Sequence, residues 1–230
     1  MKLSLRHKEV SVKEARNHPF WRQPVFLLFL MSAALPLSFA TWFALLNNFV
    51  VDAAAFDGIK LGWLHTVREI PGLLAVSVVL LLIVLREQRL ALLSLIMLAA
   101  ATTVVAWFPS FQGILITTMI SSIGFHYYEA INQSLQLQWI EKDKAPRTLG
   151  WIVAIGSGSS LVAYLAVIGA WRLLGLSYNA IYMSAGLVSM VLIGYCILAF
   201  PQFEGESKQR ARMVLRKRYW LYYVLQFLSG

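Results

Sequence analysis

Charge is scarce in this sequence. Of its 230 residues only 13% are Asp, Glu, Lys or Arg, about half the share of an ordinary soluble domain. Cysteine is scarcer still. Cys196 stands alone inside an apolar run, which excludes a disulfide framework and leaves a small packing or lipid-facing residue. Catalytic templates are missing as well: there is no G-x-x-x-x-G-K-[ST] phosphate loop, no H-E-x-x-H pair and no G-x-S-x-G elbow, and Gly156-Ser157-Gly158 lacks the third glycine of a dinucleotide fingerprint. An intramembrane metalloenzyme would need more ligands than His65, His126 and Glu129 supply from separate helices. No metal, no cofactor and no enzymatic activity are therefore expected.

What the sequence has instead is length of apolar chain. Hydrophobic residues make up 59% of it, in runs free of charge at Gln23–Val51, Ile70–Leu85, Leu90–Tyr128, Thr148–Trp171 and Leu173–Phe203. A helix needs roughly 20 apolar residues to cross a bilayer core about 30 Å thick. The third run is nearly twice that length and breaks at Trp107-Phe108-Pro109-Ser110, and the second becomes long enough when Lys60 to Glu69 are added. Six spans are predicted at about 24–50, 60–85, 89–107, 112–138, 148–171 and 177–200. The first run is too long for a signal-peptide core and lacks a small-residue cleavage site, so it is read as a retained span. Residues 1–23 form a charged, partly helical lead-in, 24–203 the bundle and 204–218 a basic connector. Residues 219–230 open like a seventh span behind Tyr219 and Trp220 and stop too early to cross. An interfacial helix would show a polar face there, so the sequence is read as cut within a span.

The net charge of +9 raises the question of nucleic acid, and its placement answers it. Lys2, Arg6, Lys8, Lys13, Arg16 and Arg22 precede the first span, and Lys208, Arg210, Arg212, Arg216, Lys217 and Arg218 follow the sixth. Arg86, Arg89, Lys142, Lys144 and Arg147 fall in the short loops on the same side, whereas Asp52 to Lys60 on the other side is net acidic. That asymmetry is the positive-inside pattern for six spans with both flanks cytoplasmic. A folded basic surface with base-contacting groups is not seen, so nucleic acid is not an expected partner.

Ionisable groups inside a span are costly and mark candidate sites. In the second span His65, Arg68 and Glu69 fall on one arc, followed by Pro71-Gly72, where a missing N–H and a missing side chain favour a kink. In the fourth, His126, Glu129, Gln133 and Gln136 share a face with Asn132 on its flank. Arg68 can pair with Glu69 next to it or with Glu129 across an axial offset of roughly 11 Å. Two readings stay open: these groups neutralise one another and hold the bundle together, or they form the wall of a polar cavity that binds substrate or a coupling proton. In the first span, Thr41, Asn47 and Asn48 either line that cavity or meet water near the outer end, and Pro36 kinks the helix. Gly150, Gly156, Ser157, Gly158, Ser159 and Ser160 in the fifth span form a small-residue stretch suited to close helix packing or to a sliding, gating surface.

Six spans, a basic connector and the start of a seventh resemble the first half of a major facilitator superfamily transporter. The local phrasing at Phe43–Val50, Gly62–Gly72 and Arg216–Tyr223 is similar to that of bacterial members, and the resemblance covers essentially the whole chain. It implies an all-α membrane protein: a six-helix bundle built as a 3+3 repeat, half of a twelve-helix fold, with its N-terminus cytoplasmic. Spans one and four would line a central cavity, spans two and five would face the other half, and spans three and six would lie outside. Glu129 and His126 become candidates for proton coupling or substrate recognition, with Arg68, Glu69, Gln133 and Asn47 beside them. Gly156, Gly158, Pro71, Gly72 and Glu87 become candidates for packing or gating. The family's signature between spans two and three is a glycine, an Asp-Arg pair, another glycine and further basic residues. Here Leu85-Arg86-Glu87-Gln88-Arg89-Leu90 keeps only the mixed charge, with Glu87 as candidate stand-in for the aspartate. The fifth span lacks the proline of the family's antiporter motif.

The expectation is the N-terminal domain of a proton- or gradient-driven solute carrier in a bacterial inner membrane. Its partners would be the lipid bilayer, a small-molecule substrate and a C-terminal six-helix half, and alternating access between the two bundles would be its mechanism. The alternative is a self-contained six-span assembly factor or intramembrane enzyme.

Overall fold

The computed structural model describes residues 9–204 together with 220, 221 and 224. The expected connector beyond Glu204 and the apolar stretch read as a seventh span lie outside the described residues, except for those three positions, which are helical. The elements run β1 (Glu9–Ser11), α1 (Val12–Ala15), α2 (Pro24–Asp52), α3 (Gly58–Leu73), α4 (Val78–Leu81), α5 (Glu87–Val104), α6 (Phe111–Trp139), α7 (Ala145–Arg172), α8 (Tyr178–Ala199) and β2 (Gln202–Glu204). Short 3-10 turns at Phe20–Arg22, Ala75–Ser77 and Val105–Trp107 join or extend them.

The helices start and stop where local chemistry dictates. Pro24 opens α2, where its missing N–H costs nothing. Asp57, Ser110 and Ser177 cap α3, α6 and α8 by accepting from the amides of Lys60, Gly113 and Ala180. Gly175, at φ +61°, ends α7, and the amide of Leu176 returns to the carbonyl of Ala170. The expected kink at Pro71-Gly72 is an interruption: α3 ends at Leu73, and the chain continues through a 3-10 turn into the single turn of α4. Pro71 withholds the N–H that the Val67 carbonyl would accept, and two residues later the ladder is lost.

Among the described residues five segments are long and apolar enough to cross a membrane: Pro24–Asp52, Gly58–Leu81, Glu87–Trp107, Ala145–Arg172 and Tyr178–Ala199. The shortest has 21 residues, about 31 Å of helix at 1.5 Å per residue. Large side chains such as Val153, Leu165, Val191 and Leu198 stand on the outer surface. Water does not tolerate apolar patches of that extent. The chain is a membrane-embedded helical bundle. The remaining long helix, α6, has 29 residues, yet His126, Glu129, Asn132, Gln133, Gln136 and Gln138 dilute its apolar run, and it does not reach the same measure.

Packing follows a simple plan. α5 lies between α6 and α8, α2 packs on α7 and α8, and α3 lies on α6; a smaller contact joins α2 to α5. Two glycines set the closest approaches. A Cβ on Gly124 would stand 2.5 Å from the Ser94 carbonyl oxygen of α5, and one on Gly186 would stand 2.7 Å from that of Ala99. α5 is therefore gripped from both sides at backbone distance.

The two ends of the bundle differ. At one end β1 pairs in parallel with β2, Val10 opposite Phe203. Among the described residues of the lead-in, helix is limited to α1 and one 3-10 turn. Arg86 forms ion pairs with Glu9 at 2.5 Å and Glu204 at 3.7 Å. Arg16 meets Glu141 at 3.3 Å, and Lys144 meets the same carboxylate at 2.6 Å. The hydrogen bond and charge of Glu141 hold the exposed Lys144 ammonium above the usual lysine range. Gln88 donates to the Pro201 carbonyl and accepts from the Phe203 amide, both at 2.9 Å. Beneath this layer lies one apolar core that includes Val12, Leu28, Leu95, Trp139 and Phe203. The second core, with Trp42, Phe49, Leu64, Ile114 and Tyr182, fills the opposite end. There the Tyr178 hydroxyl donates to Asp52 at 2.7 Å.

Candidate functional site

Between α2, α3 and α6, midway along their length, the bundle holds a cleft of about 120 Å³. α2 contributes Phe39, Trp42 and Phe43, α3 contributes Arg68 and Glu69, and α6 contributes Ser121, Ser122, Phe125 and His126. The aromatic side chains are held by one another. Phe39 stacks on Phe125 with ring centroids 4.2 Å apart and lies 6.1 Å from Phe43, its neighbour one helical turn on. Phe125 meets His126 edge to face at 5.1 Å.

Arg68 is held on three sides. Its Nε and an Nη each lie 2.8 Å from Oε1 of Glu69. The guanidinium sits over the ring of Phe43, 5.8 Å from its centroid, a cation–π arrangement. The backbone carbonyl of Arg68 accepts a hydrogen bond from the Ser122 hydroxyl. That last contact places Arg68 level with Ser122, and Glu129 lies seven residues further along α6, about 10 Å away in height. The observed contact decides between the two open partners: the pair is Arg68–Glu69.

Other sequence candidates converge on the same place. Gly72 packs against the His126 ring, which leaves no room for a side chain there: a Cβ would stand 2.9 Å from the imidazole Cε1. One turn beyond, Ser77 of the broken segment and Tyr127 of α6 share a hydrogen bond of 2.6 Å. The interruption after Pro71 is thereby docked on the helix that carries His126. Glu129 is half-buried and makes no hydrogen bond or ion pair among the described residues. Its neighbour Tyr128 is fully buried beside Ser32 of α2. Gln133 is exposed on the same stripe and Gln136 half-buried. Asn132 is buried with its Oδ1 unpartnered. Asn47 and Asn48 are exposed near the far end of α2, and His65 is half-buried one turn before Arg68.

The remaining candidates lie elsewhere. Glu87 sits at the ion-paired end, where its carboxylate accepts from Gln138 and from Ser134 at 3.2 Å, tying the start of α5 to the end of α6. On α7, a Cβ at Gly156 would meet only the Ser32 carbonyl at 3.6 Å, and one at Gly158 would meet nothing within 4 Å. Gly158 faces open space, and the tight glycine contacts belong to Gly124 and Gly186.

Sequence reasoning passed over the aromatic wall. The signal was present as Phe39 and Phe43 at i and i+4, and as Ser121-Ser122 one turn before Phe125-His126. Trp42 is the most telling omission: it lines the cleft, is 1% exposed, and its indole N–H has no partner among the described residues. A buried donor left open at a cleft is ready to bind an acceptor. Among the described residues no group of three or more His, Cys, Asp or Glu is arranged to hold a metal ion.

Fold and site together define a membrane-embedded helical bundle with a cleft of aromatic and ionisable side chains midway along its helices. Compared with protein-family models, curated proteins and solved structures, the chain matches none.

Proposed function

We propose that this chain is one six-helix half of a secondary solute carrier of the major facilitator type, with α6 as the sixth membrane span. The cleft between α2, α3 and α6 is its share of the substrate and coupling site. The single observation that carries this reading is the charge midway along the helices: an Arg68–Glu69 pair beside an aromatic wall, with Glu129, which has no ion pair among the described residues, further along α6. An ionisable group inside a membrane is costly, and by default it marks a candidate functional site.

The helix packing supports the inverted repeat. Exchanging α2, α3 and α5 for α6, α7 and α8 turns each main contact into another: α2 on α7 becomes α6 on α3, α2 on α8 becomes α6 on α5, and α5 on α8 maps onto itself. The smaller α2–α5 contact lacks a counterpart of like extent. Within their apolar windows the α3 and α7 segments are only 17% buried each, against 61% for α5. Those two faces suit a second bundle rocking against this one. Substrate enters the cleft from one side, meets the aromatic wall and the Trp42 N–H, and leaves on the other side after the bundles tilt. Glu129 carries the coupling proton.

The test uses inverted membrane vesicles from cells expressing the whole gene product. A panel of small solutes is first screened for thermal stabilisation of the purified protein, and gradient-driven accumulation of each stabilising solute is then measured. Glu129→Gln is expected to leave stabilisation by the solute intact and to abolish accumulation. Accumulation at the unsubstituted level would remove Glu129 from the coupling step. Lack of any transported solute would remove the carrier reading.

A further inference from the structure

A second cavity, of about 340 Å³, opens on the outer flank of the bundle between α5 and α8, at the ion-paired end and away from the cleft. Its walls are apolar: Leu92, Leu93 and Ile96 from α5, Ile197 from α8 and Phe200 just beyond it. Its rim is polar. Arg89 stands exposed there and has no ion pair among the described residues, whereas its neighbour Arg86 is committed to Glu9 and Glu204. Gln88 forms part of the rim with both ends of its amide already bonded to the backbone of Pro201 and Phe203. Gln202 completes it, 4% exposed, with a buried Oε1 that no donor reaches among the described residues.

We infer that this groove is a phospholipid site, specific for a headgroup that carries its own hydrogen-bond donor, such as glycerol or ethanolamine. Three complementarities assign the occupant. The apolar walls open sideways on the face where Leu93, Tyr195 and Leu198 are exposed, the face an acyl chain would approach. Arg89, at the interfacial end of α5, is free to bind a phosphate with its planar fork. Among the described residues the Gln202 oxygen is an acceptor without a donor, and buried acceptors of that kind demand one. A glycerol hydroxyl or an ammonium N–H satisfies it, and the quaternary ammonium of choline does not. Neither Arg89 nor Gln202 touches the cleft, so the inference stands apart from the transport reading.

The purified protein is extracted from nanodiscs of phosphatidylglycerol, phosphatidylethanolamine or phosphatidylcholine, and retained lipid is counted by native mass spectrometry. One glycerol or ethanolamine lipid per protein is expected, retained about fivefold over the choline lipid, the ratio one net hydrogen bond supplies. Arg89→Ala is expected to lower retention of all three lipids, and Arg89→Lys to restore it in part. Gln202→Leu is expected to erase the preference while total retention persists. Leu93→Trp, at a half-exposed position that tolerates bulk, fills the groove and is expected to reduce retention in a protein that folds normally. Equal retention of the choline lipid, or retention unchanged by Arg89→Ala and Leu93→Trp, would overturn the assignment. So would binding of soluble glycerol phosphate as tight as that of the lipid.

Discussion

At Glu129 a carboxylate lies half-buried among membrane helices with no ion pair among the described residues, and Arg68, about 10 Å away in height, is held by Glu69. An ionised group in that setting loses hydration without recovering it. Glu129→Gln is therefore expected to stabilise the fold at neutral pH by about 1 kcal/mol, read as a higher midpoint in detergent unfolding, while coupling is lost. A lower midpoint would mean that Glu129 holds the bundle together. The Arg68–Glu69 pair behaves oppositely. Glu69→Gln leaves a guanidinium uncompensated, so this single change is expected to cost more stability than the double change with Arg68→Gln, in a cycle of unfolding midpoints. Equal effects would show the pair to be energetically idle. These charged candidates were legible in the sequence because an ionisable residue in an apolar run stands out unaided. Phe39, Trp42, Phe43 and Phe125 were not, because one aromatic in an apolar helix looks like any other until the neighbouring helix is placed.

The helices themselves were readable from charge and apolar length. The expected spans at 24–50, 89–107 and 148–171 correspond to observed segments at Pro24–Asp52, Glu87–Trp107 and Ala145–Arg172, because lipid-facing length is a composition signal. The interior of the second span was less so: Pro71 marked a kink, but where the ladder fails depends on Tyr127 catching Ser77. Glycine was read by local density, which pointed to α7, whereas contact singles out Gly124 and Gly186. Gly124→Ala and Gly186→Ala are each expected to destabilise by about 1–3 kcal/mol through forced separation from α5. Gly158→Ala is expected to be neutral or to stabilise by up to about 1 kcal/mol through helix propensity. Thermal unfolding of the three variants side by side decides it, and equal losses in all three would refute the assignment of close approach to α5.

For the whole molecule, the alternation of ends is the property to test. Reporters fused after residue 55 and after residue 143 are expected in opposite compartments, since Ala55 lies in the loop at one end and Asp143 beside the Glu141 ion pairs at the other. The same compartment for both would contradict the bundle. The pairing of β1 with β2 had no sequence signal: each strand is three residues long, and a parallel bridge between positions 9 and 202 leaves no local periodicity. That bridge carries a consequence for biogenesis. A ribosome releases Val10 long before Phe203, so the first-made segment must wait at the membrane surface while all the intervening helices insert. Its engagement follows the insertion of every helix between the two strands, and a chain arrested earlier would expose an open strand edge where a quality-control protease can grip it.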